Sequence, residues 1–392
     1  MDCKARRARV LIIDGDGTQT LPIVRDLYRK GHSVHILYAK KMSYGYATRY
    51  AERKVRTHPV SDEKGFLGFL QNYVEDCGID VCIAMSDKAA MVLSKNRETI
   101  RTMCRIVAPS FGSFMNGYDK NALMAVCEEN GIPHPKTLDM RDVEPIALSE
   151  AWFPAILKPN MTTGGRGMRL VEDNKALERV LGEITKQYGD CHLQEKIPSG
   201  GRQFKVQIFV AENGDMVASS VIHKQRFYPV SGGSSCFSTT VIDDGLVEIC
   251  YAVLKKVRWE GFADFDLIED PRDGIVKILE INPRIPASIQ SVSDSGLDYG
   301  ELTVLTAMGW RWIPGEYVPG AQLRHLGLDL LWFYGSSERL CARPSWFEFF
   351  NKRQAFQDLS VSDPLPFLFG TVGSIVKVLR TDFRKAKRLS TS

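Results

Sequence analysis

Two acidic residues and an asparagine in the second half of the chain have the types and spacing of a magnesium site. Asp266 lies in one apolar run, and Glu280 and Asn282 lie two residues apart in the next. Pro271 and Gly274 mark a turn between the runs, which predicts a hairpin with Glu280 and Asn282 on one face. With an odd number of residues in the loop, Asp266 stands opposite Glu280. Mg²⁺ takes such oxygen ligands; a solvated polar face is the alternative.

A lysine followed by a glycine-rich loop is the second chemical signal. Lys158 ends an apolar strand, and Gly164, Gly165 and Gly167 follow in the loop. Glycines let backbone N–H groups approach phosphate oxygens, and a lysine adds a mobile positive charge. The loop lacks the GK[ST] ending and the following helix of a Walker loop. It predicts phosphate binding, and an ordinary glycine-rich hairpin is the alternative.

A second glycine turn, from Gly15 to Gly17, follows the first predicted strand. A dinucleotide fingerprint requires a third small residue, and Thr20 occupies that position. Asp16 would also lie poorly beside a pyrophosphate. We therefore expect a tight turn that binds no NAD.

The order and spacing of these motifs resemble the ATP-grasp superfamily, most closely its carboxylate–amine ligases and the carbamoyl-phosphate-synthase-like group. The resemblance covers about residues 8–310 of this chain. It rests on Lys120 after Asp119, Lys158 before the glycine-rich loop, Gln194-Glu195-Lys196-Ile197-Pro198, and Asp266 with Glu280-Ile281-Asn282-Pro283-Arg284.

The resemblance implies roles for these positions. Lys120 and Lys158 would hold the phosphates of ATP, and Glu195 and Ile197 would meet the adenine. The loop over residues 162–168 would close over the phosphates through Gly164, Gly165, Gly167 and Met168. Gln203 stands where the family often has an acidic ribose contact, so the ribose contact would differ in detail.

The same resemblance implies the metal site and part of the catalytic site. Asp266, Glu280 and Asn282 would hold Mg²⁺, with Mn²⁺ as a substitute, and Arg284 would face a developing acyl phosphate. Lys224 and Arg226 alternate in a segment that resembles the acyl-substrate segment, so both could face one carboxylate or phosphate. His223 would point to the other face. The turn at 232–235 could offer backbone N–H donors, and a polar strand and turn is the alternative.

The fold class is predicted as α/β and α+β. Residues 8–115 alternate strands and helices, which indicates a parallel sheet with helices on both faces. The predicted elements are strands Arg9–Ile13, Ser33–Ala39, Asp80–Met85 and Arg105–Ala108, and helices Leu21–Lys30, Glu63–Cys77 and Ala89–Ser94. Asp119 predicts the N-cap of a further helix that runs to Glu129.

These elements suggest three parts. We expect a Rossmann-like domain over residues 1–117 and a two-subdomain ATP-grasp domain over 118–310. The latter would comprise a small nucleotide-clamping subdomain at 136–207 and a metal and substrate subdomain at 208–310. An irregular and helical extension would follow over residues 311–392.

The composition limits which binding partners and which cellular compartment are expected. The 392 residues are 44% hydrophobic and 25% charged, and a net charge of +4 indicates no nucleic-acid partner. Nine cysteines without a CxxC pair indicate free thiols in a reducing compartment, and no Cys/His cluster predicts zinc. No apolar stretch reaches the ~20 residues that span a bilayer. We expect a cytoplasmic enzyme with small-molecule substrates, and a homodimer is left open.

The C-terminal tail has a basic amphipathic pattern. Its apolar stripe comprises Val372, Ile375, Val376, Leu379, Phe383 and Ala386, beside the cations Lys377, Arg380, Arg384, Lys385, Lys387 and Arg388. Such a helix could lie on the inner face of an anionic membrane. A terminal helix docked on the protein, with a basic frayed end, is the alternative.

The function that these patterns favour is ATP-dependent ligation. A carboxylate would be activated as an acyl phosphate and joined to an amine or a similar nucleophile. An ATP-grasp phosphotransferase and a non-catalytic nucleotide-binding regulator are the alternatives. The sequence names neither the acid nor the nucleophile, and it identifies no general base.

Overall fold

The computed structural model describes residues 7–57, 59–141, 153–230, 233–313, 315–349 and 351–370. In these ranges the strands form one parallel sheet of four strands and two further sheets of four and seven strands. Helices pack against the sheets, so the chain combines an α/β part with an α+β part, as the sequence predicts.

The N-terminal sheet is parallel. Its strands are β1 (Arg9–Ile13), β2 (Ser33–Tyr38), β3 (Arg53–Arg56) and β4 (Val81–Ala84), in the order β3-β2-β1-β4. The accompanying helices are α1 (Thr20–Arg29), α2 (Tyr44–Ala47), α3 (Glu63–Cys77), α4 (Asp87–Lys95), α5 (Arg97–Arg101) and α6 (Phe111–Tyr118). β1 and α3 have the predicted bounds.

Two differences from the prediction have physical reasons. The strand predicted at Arg105–Ala108 is wrong, because Arg105 makes only a single bridge to Val81. The sequence does not predict β3, since its residues Arg53-Lys54-Val55-Arg56 are mostly charged and exposed. Such charge is typical of an edge strand, where it discourages pairing with another chain.

The turn after β1 is closed by its own aspartate. The Asp16 carboxylate accepts hydrogen bonds from the backbone N–H groups of Ala39 and Lys40, each at 3.2 Å. Asp16 therefore joins the carboxyl ends of β1 and β2.

The small sheet is antiparallel and follows a capped helix. Asp119 Oδ1 accepts a hydrogen bond from Ala122 N at 3.0 Å and caps α7 (Lys120–Glu129), as predicted. The strands are β5 (Thr137–Asp139), β6 (Ala155–Pro159), β7 (Arg169–Val171) and β8 (Cys191–Glu195), in the order β5-β8-β6-β7. The helix α8 (Asn174–Tyr188) packs on this sheet.

The seven-stranded sheet forms the centre of the molecule. Its strands are β9 (Gln203–Val210), β10 (Met216–Tyr228), β11 (Ser234–Val241), β12 (Gly261–Glu269), β13 (Val276–Asn282), β14 (Gln322–Arg324) and β15 (Gln354–Phe356). They are arranged in the order β13-β12-β9-β10-β11-β14-β15. β9 begins inside the range 136–207 that the sequence assigns to the small subdomain.

Helices follow several of these strands. They are α9 (Asp244–Lys256), α10 (Gln290–Asp294), α11 (Tyr299–Ala307) and α12 (Leu326–Gly335), with a 3₁₀ turn at Ala287–Ile289. None of the helices in the described residues is long and apolar enough to cross a membrane.

Both faces of the large sheet are buried, and alternate residues of β9 belong to two different apolar cores. Val206 and Ile208 belong to the apolar core that contains residues of α9, whereas Phe209 belongs to the core shared with β1 and α11. Successive side chains of a strand point to opposite faces. The N-terminal part therefore packs on the second face of the large sheet, next to the β12–β13 hairpin.

The C-terminal extension is part of the large sheet, because β14 and β15 extend its edge. Its anchor is a buried cluster: Asp329 lies 2.8 Å from Arg226 Nε and 3.3 Å from Arg324 Nη1. The Arg226 guanidinium also stacks 3.9 Å from the centre of the Phe237 ring. Buried cations of this kind are stable only when paired.

A second anchor, at Asp363, binds the C-terminal extension to the N-terminal part. Asp363 is buried, lies 3.0 Å from Arg25 Nη2, and accepts hydrogen bonds from Thr48 Oγ1 at 2.7 Å and Arg49 N at 3.1 Å. The residues predicted to form the basic amphipathic tail, 371–392, lie outside the described residues.

We expect Asp329→Asn to destabilise the protein strongly. The change leaves Arg226 and Arg324, which are 3% and 0% exposed, without their shared negative charge. Breaking a buried ion pair by removing one partner costs about 3–5 kcal/mol. Thermal and urea denaturation, followed by tryptophan fluorescence, measures the loss. Glu338→Gln on the exposed surface is the control, and equal midpoints for the two variants would contradict the anchoring role.

Candidate active site

The β12–β13 hairpin places four polar side chains on one face. Asp266 stands directly across from Glu280, as the hairpin spacing predicts, and Asp264 stands across from Asn282. Because residues two apart on a strand share a face, the two pairs lie side by side. Asn282 Nδ2 donates to Asp266 Oδ2 at 3.0 Å.

Two lysines from neighbouring strands neutralise this face. Lys205 Nζ lies 2.6 Å from Asp264 Oδ2 and 2.9 Å from Asp266 Oδ2, and Lys224 Nζ lies 2.8 Å from Asp266 Oδ1. Burial raises the pKa of Asp266, but the lysines outweigh it and hold that pKa well below its usual range. Asp266 is therefore ionised at neutral pH.

A buried hydrogen-bond chain supports the face from behind. Gln207 Nε2 donates to Asp264 Oδ1 at 2.8 Å, and Ser220 Oγ donates to Gln207 Oε1 at 2.8 Å. Tyr299 Oη, at the start of α11, donates to the Gln207 carbonyl at 3.1 Å and lies 3.2 Å from Ser220 Oγ. Asp264, Gln207 and Tyr299 are fully buried, so these bonds satisfy polar groups that water does not reach.

Sequence reasoning missed Lys205 and Asp264. A signal exists in the strand itself, because Gln203, Lys205 and Gln207 alternate with the apolar residues of β9. Alternation alone does not distinguish a solvated face from a buried polar one. Only the pairing of β9 with β12, which sets Lys205 across from Asp266, makes the difference.

The two lysines predicted to hold phosphates lie at the edge of this face. Lys120 Nζ lies 3.3 Å from Glu280 Oε2 and donates to the Thr162 carbonyl at 2.7 Å. Lys158 Nζ donates to Gln194 Oε1 at 2.5 Å. Burial lowers the pKa of Lys158 to about 8, with Glu280 opposing the shift and Lys120 adding to it. Lys158 is thus mostly charged at pH 7.

The glycine-rich loop needs its glycines for conformational reasons. Gly164, Gly165 and Gly167 have φ values of 66°, 72° and 76°, which side chains rarely adopt. A Cβ at Gly167 would also lie 2.7 Å from the Pro159 ring and 2.8 Å from the Tyr188 ring. The loop ends at Met168, whose N–H donates to the Gly165 carbonyl at 3.4 Å.

The segment between the small and the large sheet contains the predicted adenine contacts. Glu195 ends β8, and its carboxylate lies 3.2 Å from Lys277 Nζ and 3.3 Å from Arg272 Nη2. These ion pairs connect the small sheet with the β12–β13 hairpin. Ile197 lies in the connecting segment, and Gln203 begins β9 across from Lys224.

Arg284 follows β13 directly, two residues after Asn282. Its Nε lies 3.2 Å from Asp87 Oδ1, the first residue of α4 in the N-terminal part. Arg284 also borders a mostly apolar cavity, which is lined by residues that include Ala84, Ala90 and Phe114. The N-terminal part therefore contributes to the site, which the sequence does not predict.

The structure does not bring Arg226 to this group. A β-bulge between Lys224 and Arg226 changes the pairing of β10 with β11, so the expected alternation of the two side chains is broken. Arg226 instead binds Asp329, and we leave it out of the proposed catalytic group. His223 stacks on Phe204 at 5.0 Å, and of the turn predicted at 232–235, Ser234 and Ser235 belong to β11.

Five cations and four carboxylates thus meet at the junction of the three sheets. The cations are Lys120, Lys158, Lys205, Lys224 and Arg284, and the carboxylates are Asp87, Asp264, Asp266 and Glu280. Such a set can neutralise a polyanion and hold an oxygen-binding cation at the same place.

Comparisons with known proteins agree with this geometry. The family model of the ATP-grasp domain matches residues 118–288, from the end of α6 to the segment after Arg284. D-aspartate ligase of Enterococcus faecium is 26% identical over 236 residues, which are 55% of this chain and 56% of the relative. The carbamoyl phosphate synthase large chain of Thermus thermophilus is 26% identical over 247 residues, 59% of this chain and 23% of the relative.

The chain thus spans about half the length of the first relative and about a quarter of the second. Among solved structures, biotin carboxylase from Campylobacter jejuni in a β,γ-ATP complex has a similar fold. The TM-score is 0.65 at 17% identity, and the match covers 80% of this chain and 74% of that one. The family match, the relatives and the fold agree: residues 118–288 of this chain are an ATP-grasp domain.

Proposed function

We propose that this chain is an ATP-dependent ligase, which activates a carboxylate as an acyl phosphate and joins it to an amine with release of ADP and phosphate. The observation that carries the proposal is the hairpin face of Asp266, Glu280 and Asn282, on which lysines from three other elements converge. The name of the relative D-aspartate ligase supports a ligase whose substrate is a carboxylic acid.

The donor chemistry of the hairpin face fits Mg²⁺. Among the described residues no three His, Cys, Asp or Glu side chains cluster around a single point, so a metal here depends on two carboxylates, an amide and phosphate oxygens. Mg²⁺ is bound in this way in many phosphate-transfer sites. We assign Asp266, Glu280 and Asn282 to Mg²⁺, for which Mn²⁺ can substitute because it accepts the same oxygen ligands. The bound ion would neutralise phosphate charge.

The small sheet, the start of α7 and the segment that leads into β9 would supply the nucleotide contacts. Lys120 lies 3.3 Å from Glu280, and the charge of Glu280 also acts on Lys158. The phosphates would meet the metal here, and residues 162–168 would cover them. Backbone groups at Glu195 and Ile197 would contact the adenine. Gln203, adjacent to Lys224 across the strands, would contact the ribose.

The chemistry follows from charge and position. A carboxylate is a poor acyl donor because its leaving group is oxide, and phosphorylation supplies a better one. Transfer of the γ-phosphoryl group needs mainly alignment and neutralisation of charge. Lys224 and Arg284 would bind the acid and its acyl phosphate, and the same cations would stabilise the oxyanion when the amine attacks.

A screen of acids and amines tests the proposed function. The protein, ATP and Mg²⁺ are combined with amino acids as acids, D-aspartate first, and with a panel of amines. ADP and phosphate release that requires both substrates supports a ligase, and ¹⁸O from the labelled carboxylate should appear in the phosphate. Phosphate that stays on the acceptor would indicate a phosphotransferase. Binding of ATP without turnover for any pair would indicate a regulator.

Glu280→Gln should lower ATP turnover by at least about 100-fold, because it removes a charged metal ligand from the hairpin face. Folding should change little, since the Glu280 side chain is 32% exposed. Steady-state assays over a range of Mg²⁺ concentrations measure the loss, and calorimetry measures metal affinity. Glu248→Gln on the exposed side of α9 is the control. Wild-type turnover of the Glu280→Gln enzyme at saturating Mg²⁺ would contradict the metal assignment.

Lys158→Met should weaken ATP binding about tenfold or more, since a charge-assisted contact contributes roughly 1.5–3 kcal/mol. The pKa of Lys158 is about 8, so its charge is present below that pH and lost above it. ATP affinity should therefore fall in the wild type as pH rises from 7 to 9, and this fall should be smaller in Lys158→Met. Calorimetry at several pH values checks both effects, with exposed Lys175→Met as the control. Parallel pH profiles in wild type and Lys158→Met would contradict the assignment.

The membrane hypothesis for residues 371–392 rests on the sequence pattern. Removal of these residues should abolish binding to phosphatidylglycerol vesicles at low salt, since each Lys or Arg near an anionic surface contributes about 1 kcal/mol. ATP hydrolysis should persist. Vesicle sedimentation at low and high salt provides the measurement, and a full-length chain that stays in the supernatant at low salt would contradict the membrane hypothesis.

Light scattering of the full-length protein tests whether the chain forms a homodimer.

A further inference from the structure

Asp87 is the carboxylate that the N-terminal part contributes to the candidate active site. It is the first residue of α4, and Ser86 caps this helix by accepting a hydrogen bond from Ala89 N at 3.2 Å. A capped helix start holds its first side chain in a defined place, and a helix N-terminus favours the ionised form of a carboxylate. Asp87 thus lies at a capped helix start, at the junction with the ATP-grasp domain.

Charged groups from three other elements surround Asp87. Arg284 after β13 is the direct partner, with Nε at 3.2 Å from Oδ1, while Glu280 in β13 and Lys120 in α7 act on it through their charges. The charge of Asp87 in turn helps to raise the pKa of Tyr118 at the end of α6, whose largest cause is burial. Burial raises the pKa of Asp87, Arg284 and Lys120 lower it, and Glu280 raises it. Asp87 therefore contacts Arg284, the group proposed to bind the acyl phosphate.

The Asp87 carboxylate can also accept a further hydrogen bond. The residue is 7% exposed, and its Oδ1 accepts no aligned hydrogen bond from the described residues despite the ion pair with Arg284. The other carboxylates of the site are engaged: Asp264 and Asp266 bind Lys205, and Glu280 lies beside Lys120. A buried carboxylate oxygen without an aligned donor is costly, and a ligand with N–H groups would satisfy it.

An amine substrate brings such a donor, and it also brings a chemical problem. At neutral pH an aliphatic amine is an ammonium ion, which binds a carboxylate well but has no lone pair with which to attack an acyl phosphate. A base must remove one proton within hydrogen-bond reach of the nitrogen. The base must also lie close to the group that holds the acyl phosphate.

We propose that Asp87 binds the ammonium group of the amine substrate and accepts its proton, so that the amine attacks the acyl phosphate held at Arg284. This inference rests on the proposed function and names the second substrate as a primary amine that is cationic at neutral pH. The N-terminal part then supplies the amine site, and the ATP-grasp domain supplies the sites for ATP and the acid.

The proton and electron balance is simple. One proton passes from the ammonium nitrogen to Asp87, and the lone pair that this frees forms the C–N bond. The bond between the acyl carbon and the phosphate oxygen breaks, and its electron pair leaves with phosphate. A second proton passes from the amide nitrogen to that phosphate, and Asp87 returns its proton to solvent.

A purely positioning role for Asp87 predicts a different result. If Asp87 only orients Arg284, its loss would slow formation and breakdown of the acyl phosphate alike. Hydroxylamine separates the two roles, because it is largely unprotonated at neutral pH and captures acyl phosphates as hydroxamates without a base.

The test compares two acceptors in Asp87→Asn and wild type. D-aspartate and glycinamide are the first probes, replaced by the acid and amine that give the most phosphate in the screen. We expect Asp87→Asn to lose about 10²–10⁴-fold in amide formation and less than about threefold in hydroxamate formation. Amide formation by Asp87→Asn should rise with pH as the free amine becomes available, and Asp87→Glu should recover part of the wild-type rate.

The controls make each outcome decisive. Asp76→Asn on the exposed side of α3 should behave as wild type, and thermal denaturation confirms that Asp87→Asn is folded. Equal losses with both acceptors would overturn the proposal in favour of positioning, and unchanged amide formation would overturn it as well. Wild-type enzyme that yields neither hydroxamate nor amide with any acid would overturn the ligase function itself.

Discussion

Burial of carboxylates within an apolar sheet is the constraint on which this site depends. Asp264 and Asp266 lie among the apolar residues of β12, where burial raises the pKa of both carboxyls, and Lys205 and Lys224 oppose this effect from within 3 Å. Asp264 is fully buried and the Asp266 side chain is only 17% exposed, so most of the partners for their charges must come from the protein. The strand pairing of β9 and β10 beside β12 therefore decides the electrostatics of the site.

The same constraint extends behind the hairpin face. Asp264 is linked through Gln207 and Ser220 to Tyr299 at the start of α11, and every one of these groups is buried. A fully satisfied buried network specifies one arrangement, because any displacement leaves a polar group without a partner. This network also joins the hairpin to the face on which the N-terminal part packs.

Three parts of the chain meet at this place, and each contributes a different kind of group. The small sheet contributes Lys158 and the glycine-rich loop, the large sheet contributes the hairpin, and the N-terminal part contributes Asp87. The ion pairs of Glu195 with Lys277 and Arg272 connect the first two parts. The described part of the C-terminal extension contributes no group to the proposed site. Its Asp329 cluster binds the extension to the large sheet, and its Asp363 anchor binds it to the N-terminal part.

The sequence by itself determined the features that depend on neighbours along the chain. Hairpin spacing predicts that Asp266 faces Glu280, Asp119 predicts the start of α7, and glycines predict the phosphate loop, because turn chemistry, capping and strand alternation are local. Tertiary structure alone decided which strands became neighbours. That choice brought Lys205 to Asp266, turned Arg226 away through a bulge, and set Asp87 beside Arg284. These contacts join residues far apart in sequence, and no local pattern encodes them, because they arise from the packing of buried faces.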